Sequence, residues 1–122
     1  MNEMDRIGRR SVLACPDCHG VMWEIEEGDL IRYRCHVGHA YTAESMRHEI
    51  DENLTQALAS ALRALDERVA IAEKLRDKAI ADQHLRSVEW WQRRVDETQR
   101  EAEIIREAIL RMEQVGGESV DR

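Results

Sequence analysis

Apolar positions follow two different rhythms along the chain. From Met46 they recur at Ile50, Leu54, Leu58, Ala61, Leu65, Val69, Ala72, Leu75 and Ala79. After an interruption they resume at Val88, Trp91, Val95, Ala102, Ile105, Ile109 and Met112, with Thr98 the polar member of the series. The steps of the second series alternate three and four without a miss, the spacing that keeps one stripe of a helix against a partner helix, as in the seam of a coiled coil. Continuing the first series beyond Ala79 would place Asp82, Arg86 and Glu89 in the seam. The chain is therefore expected to turn near Ile80–Leu85, with Asp82 capping the second helix. The pattern predicts helices over about 43–80 and 83–114, folded back as an antiparallel hairpin. No Gly or Pro enforces the turn, so a single rod with local overwinding stays open as the alternative. Thr42, with Glu44 and Ser45 in the following turn, reads as the start of the first helix and forms an incomplete capping box.

Ahead of Tyr41 the period shortens. Val21–Glu26 and Leu30–Cys35 alternate as two strands around Glu27-Gly28-Asp29, with a shorter strand over Ser11–Ala14. If one face carries the core, a three-residue loop is expected. It would set Ile25 opposite Ile31, Trp23 opposite Tyr33, Val21 opposite Cys35 and Glu24 opposite Arg32. Residues 1–10 are expected to be a frayed arm, 11–41 a small β domain, 42–115 the helical hairpin, and 116–122 a disordered tail.

Composition sharpens this division. All three cysteines, the single Pro, both Tyr and four of the six Gly precede residue 42. Phe is absent, so the first region has few aromatics with which to build a core. The 18 Lys and Arg face 25 Asp and Glu, a formal charge of −7. That balance repels phosphate backbones and disfavours nucleic acid as a partner. No run approaches the roughly 18 apolar residues of a membrane span. MNEMDRIGRR lacks the apolar stretch of a secretory signal, so a cytoplasmic location with reduced thiols is expected.

The chemistry concentrates in LACPDCHG and RYRCHVGHAY. Cys15 and Cys18 form a C-x-x-C turn, and sixteen residues, enough for one hairpin, separate Cys18 from Cys35. Tetrahedral Zn²⁺ takes four thiolate or imidazole ligands, and this is the spacing of a zinc ribbon. Gly38 stands where a second C-x-x-C would carry its cysteine, so the longer His39 side chain must reach in from the next position. His36 and His19, each adjacent to a cysteine, would have to bend back over one peptide. The predicted ligands are Cys15, Cys18, Cys35 and His39, holding a structural Zn²⁺ with no position left for water. A dithiol redox site is disfavoured because no helix follows the C-x-x-C turn. No nucleophile elbow, phosphate loop or metalloprotease motif is present, so catalysis is not expected.

Other features fit a supporting role. Trp91 falls on the helical seam, and Trp90 lies about 100° around the helix, where it can serve as a partner contact. Arg6, Arg9, Arg10, Arg32 and Arg34 would form the patch of a nucleic-acid-binding ribbon, the runner-up reading.

CPDCHGVMWEIEEGDLIRYRCHVGHAYTAES, Cys15 to Ser45, resembles the extra C-terminal segment carried by some bacterial chemotaxis-type (CheB-like) protein-glutamate methylesterases. Those segments have a C-P-x-C-x-G-x-x-W-E run, then R-[FY]-R-C-x-V-G-H-x-[YF], then an Ala/Leu/Glu/Arg-rich helical tail. The resemblance implies a zinc-ribbon-like module in two-component or chemoreceptor signalling, and it favours His39 as fourth ligand. It does not import the esterase, because the catalytic and receiver domains have no counterpart here. Met1 stands directly before the module, so a free-standing relative or an excised tail is expected. Together these readings predict an α+β, mostly helical chain: a zinc-ribbon-like β-hairpin domain followed by a long helical hairpin. Its expected role is a non-catalytic adaptor for a signalling or chemoreceptor protein, with a hairpin seam regular enough to pair with a second copy.

Overall fold

The computed structural model describes residues 3–116, which divide into two compact units between Leu54 and Thr55. The first unit holds a 3₁₀ turn (Glu3–Arg6) and strands β1 (Arg9–Ala14), β2 (Val21–Glu27), β3 (Leu30–Cys35) and β4 (Ala40–Thr42). The strands form an antiparallel meander in the order β1-β2-β3-β4. Helix α1 (Ala43–Ala81) starts in the first unit and helix α2 (Leu85–Gly116) follows in the second, where the two helices pack against each other. The expected α+β architecture, a small sheet followed by a helical hairpin, is the one observed.

The β2–β3 register differs from the expected one. Met22 pairs with Cys35, Trp23 with Arg34, Ile25 with Arg32 and Glu27 with Leu30, leaving a two-residue loop of Gly28 and Asp29. Gly28 has φ 61°, the left-handed first position of a type II′ hairpin, whose twist matches that of the strands. The three-residue expectation assumed one buried face, and this sheet covers both. Met22 is fully buried on one side with Cys15, Cys35 and Met46. Its neighbour Trp23, 3% exposed, points to the other side, where its indole N–H donates to Asp5 Oδ1 at 2.8 Å.

That second face explains why the N-terminal segment is not frayed from Glu3 onward. Met4 is buried, and its carbonyl accepts the N–H groups of Ile7 and Gly8 at 3.1 Å. Asp5 also accepts from Nε and Nη2 of the Arg10 guanidinium at 3.0 and 3.2 Å. A Cβ on Gly8 would lie 2.3 Å from the Glu24 carbonyl oxygen, so the turn can sit on β2 only with glycine there. The first strand accordingly begins at Arg9, two residues earlier than expected.

The helix start at Thr42 follows expectation: its hydroxyl accepts the Ser45 N–H at 3.1 Å. The seam of α2 is also where the spacing placed it, with Val95, Thr98 and Ala102 buried and Val88, Trp91, Ile105, Ile109 and Met112 half-buried. In α1 Leu58, Leu65 and Val69 are half-buried and Ala72 and Ala79 buried, but the expected seam positions Ala61 and Leu75 are exposed, with Leu62 half-buried beside them. Met46 instead plugs the ribbon core, while Ile50 and Leu54 remain exposed.

The turn between the helices is made without glycine. His84 N–H bonds the Ala79 carbonyl at 3.0 Å and Gln83 N–H bonds that of Ile80 at 3.1 Å, the paired bonds of a Schellman motif. Gln83 takes the left-handed position at φ 58°. Asp82 does not cap α2. It pairs with Lys78 at 3.3 Å, and His84 occupies the cap position, its carbonyl accepting the Val88 N–H. Gly116 still belongs to α2; the rest of the expected tail, 117–122, lies outside the described residues.

Candidate metal centre

Two turns of the meander bring the candidate ligands together. The β1–β2 turn is closed by Cys15 N–H to the Gly20 carbonyl and His19 N–H to the Cys15 carbonyl, both at 2.8 Å. His19 adopts φ 63°, which bends the chain back after Cys18 and keeps the His19 ring out of the cluster. The β3–β4 turn repeats the device. Cys35 N–H bonds the His39 carbonyl at 3.0 Å and Gly38 N–H bonds the Cys35 carbonyl at 3.1 Å. Gly38 has φ 113°, a conformation for which a side chain would be strained. This reversal at Gly38 carries His39 back over Cys35.

The donor atoms of Cys15, Cys18, Cys35 and His39 all lie within 4.8 Å of one another. His39 Nδ1 is 3.6 Å from Cys15 Sγ and 3.3 Å from Cys35 Sγ. Zn–S and Zn–N bonds of about 2.3 and 2.0 Å around a tetrahedron imply an S···N separation of about 3.5 Å, so the donor set fits a metal of that size. All four predicted ligands thus converge, with Nδ1 the ring nitrogen facing the sulfurs. His36 and His19 are not in the cluster. Cys15 and Cys35 are fully buried, and Cys18 stands at the exposed rim.

The backbone prepares the site for thiolate. Burial pushes the Cys35 thiol up. The N–H groups of His39, Gly38 and Val37, together with the Cys18 thiol, outweigh it and bring its pKa from 9.0 down to about 6. His39 N–H also lies 3.3 Å from Cys35 Sγ, a donor placed to stabilise a sulfur anion. At Cys18 the Gly20 N–H lowers the pKa, but desolvation and the neighbouring Cys35 and Cys15 sulfurs prevail and raise it.

Two supports were not foreseen from sequence. Met22 and Met46 form the apolar floor beneath Cys15 and Cys35, with Leu13, Tyr33 and Tyr41 packed against it. The Tyr41 hydroxyl donates to Asp17 Oδ2, linking β4 to the residue before Cys18. A Tyr two residues after the fourth ligand and an Asp inside the C-x-x-C turn were both visible in the sequence. Only the short strand β4, which escaped the period-two pattern, places them together.

No family profile, curated protein or solved structure matches the chain. No helix among the described residues is long and apolar enough to cross a membrane.

Proposed function

We propose that this chain is a zinc-stabilised, non-catalytic adaptor of the cytoplasm, with the ribbon as a rigid knob and the helical hairpin as a surface for a protein partner in bacterial two-component or chemotaxis-type signalling. The observation that carries the reading is the convergence of three sulfurs and one imidazole nitrogen within 4.8 Å. Four such donors fill a tetrahedral ion, and a filled ion acts on structure rather than on substrate. Zinc is the metal that this S₃N chemistry favours in a reduced compartment. The signalling context rests on the resemblance over Cys15–Ser45.

The hairpin supports the binding role. Ala64, Ile71, Trp90, Arg94 and Thr98 border a groove of about 480 Å³ between α1 and α2 within the second unit. Trp90 is 48% exposed, stacked edge-on against Trp91 and covered on one face by the Arg94 guanidinium at 4.2 Å. Exposed Trp and Arg of this kind often dominate protein interfaces. The arginines that would serve a nucleic-acid reading are largely committed to carboxylates: Arg9 to Glu24 and Glu26, Arg10 to Asp5, and Arg32 to Glu27.

Two measurements test the reading together. Cobalt(II) substituted into the site should give the intense visible bands of a tetrahedral thiolate centre that are unchanged by added anions; anion-sensitive bands would reveal an open position and revive catalysis. Zinc-loaded wild-type and Trp90→Ala proteins, used as baits in native extract, should differ by a partner that only wild type retains. Identical protein captures, or salt-sensitive retention of DNA or RNA, would overturn the adaptor role.

A further inference from the structure

The two turns that supply ligands are tied together on their inner side by the β2–β3 ladder, where Met22 pairs with Cys35. Their outer side is different. Cys18 is exposed there, so it is the ligand that water or a competing chelator reaches first. Asp17 immediately precedes it, and the Asp17 carboxylate accepts the Tyr41 hydroxyl. Tyr41 itself is held at two points: its backbone pairs with Tyr33 in the sheet, and its ring packs against the Cys15–Met22–Cys35–Met46 cluster. The phenol is therefore a fixed post, and Asp17 is the movable element fastened to it.

We propose that the Tyr41 hydroxyl, through its bond to Asp17, is a latch that sets how fast the Cys15–Cys18–Cys35–His39 centre releases its metal. The inference rests on the zinc reading above and concerns retention rather than identity of the ion. Metal leaves a filled thiolate site as ligands detach one after another, and detachment begins at the accessible sulfur. Swinging Cys18 outward carries Asp17 with it and breaks a charge-assisted hydrogen bond. Tyr41 does not touch the ion in this scheme; it is a positioning residue. Loss of an outer hydrogen bond of this type weakens metal retention by about 10- to 100-fold.

The test is zinc transfer from the loaded full chain to a chromophoric chelator, followed in time. Tyr41→Phe keeps the ring packing and removes the hydroxyl. Asp17→Ala removes the acceptor at an exposed position and leaves Tyr41 in place. Both variants should bind one zinc per chain, as wild type does, and release it about 10- to 100-fold faster. The double variant should be no faster than either single one, because both remove the same bond. Arg32→Gln, which loses an ion pair to Glu27 on the exposed part of the same sheet, should release zinc at the wild-type rate. Wild-type release rates in Tyr41→Phe and Asp17→Ala would overturn the latch, as would multiplied effects in the double variant or incomplete zinc loading at saturation. A wild-type chain that binds no zinc at all would remove the underlying reading and the latch with it.

Discussion

Chelation should separate the two units of this protein. Zinc contributes roughly 10–16 kcal/mol to small thiolate-imidazole folds at neutral pH. Among the described residues of the first unit, the buried apolar side chains apart from the cysteines are those of Met4, Met22, Trp23 and Met46. Each contributes about 1.5–3 kcal/mol. Net stabilities of whole domains are only ~5–15 kcal/mol, so losing the ion removes more than the ribbon has in reserve. The helices respond differently. Of the 39 residues of α1 and 32 of α2, only Ala43–Leu54 belong to the first unit. A strong chelator should therefore abolish at most about a sixth of the far-ultraviolet helical signal, a local rather than global unfolding. In the same titration the thiols of Cys15 and Cys35, inaccessible in the folded ribbon, should become as reactive as Cys18 toward an aromatic disulfide reagent. Unchanged thiol reactivity would refute the dependence on metal. Cooperative loss of the whole helical signal would refute the independence of the hairpin.

Three further outcomes follow from particular residues. Gly8→Ala should destabilise the ribbon by about 1–3 kcal/mol in urea titration, because the new methyl meets the Glu24 carbonyl oxygen at 2.3 Å and backbone cannot give way; an unchanged midpoint would show that the 3₁₀ turn does not need its seat. Gln83→Gly should raise the thermal stability of the hairpin by about 0.5–1 kcal/mol, since the left-handed cost of roughly 1–2 kcal/mol disappears while glycine adds some unfolded-state entropy. On acidification the zinc-loaded chain should keep its metal down to about pH 6, followed with a zinc-sensitive dye, because the folded backbone donors bring the Cys35 pKa from 9.0 to about 6. Because that pKa is depressed from 9.0, the stabilisation it brings is complete above pH 9 and is lost as pH falls through 6. Zinc released already near pH 8 would show that the backbone donors do not act on this sulfur.

How far the sequence disclosed this structure depended on how local each determinant was. The ligands were legible because C-x-x-C, the hairpin-length spacer and the Cys35–His39 offset each impose short-range geometry. The α2 seam was legible because one helix face buries without interruption from Val88 to Met112. The β2–β3 register was not, because alternation identifies faces only when one face is covered. Trp23 and Met22, adjacent in sequence and both buried, belong to opposite faces, and Trp23 meets Asp5 and Arg10 far upstream. Strand β4 is three residues long, too short for a periodic signal, yet it positions Tyr41. At the helix turn a glutamine does what glycine usually does, leaving no composition mark. Met46 obeyed the helical spacing and nevertheless served the ribbon, since spacing fixes a face but not its partner.

Metal content per chain, measured by elemental analysis on protein purified without added metal, decides whether this chain is built around an ion. Wild type and His36→Ala should each carry one zinc, whereas Cys15→Ser and His39→Ala should carry less. Wild-type protein with no bound transition metal and three freely reactive thiols would contradict the zinc-centred fold, and loss of zinc in His36→Ala but not in His39→Ala would overturn the ligand set.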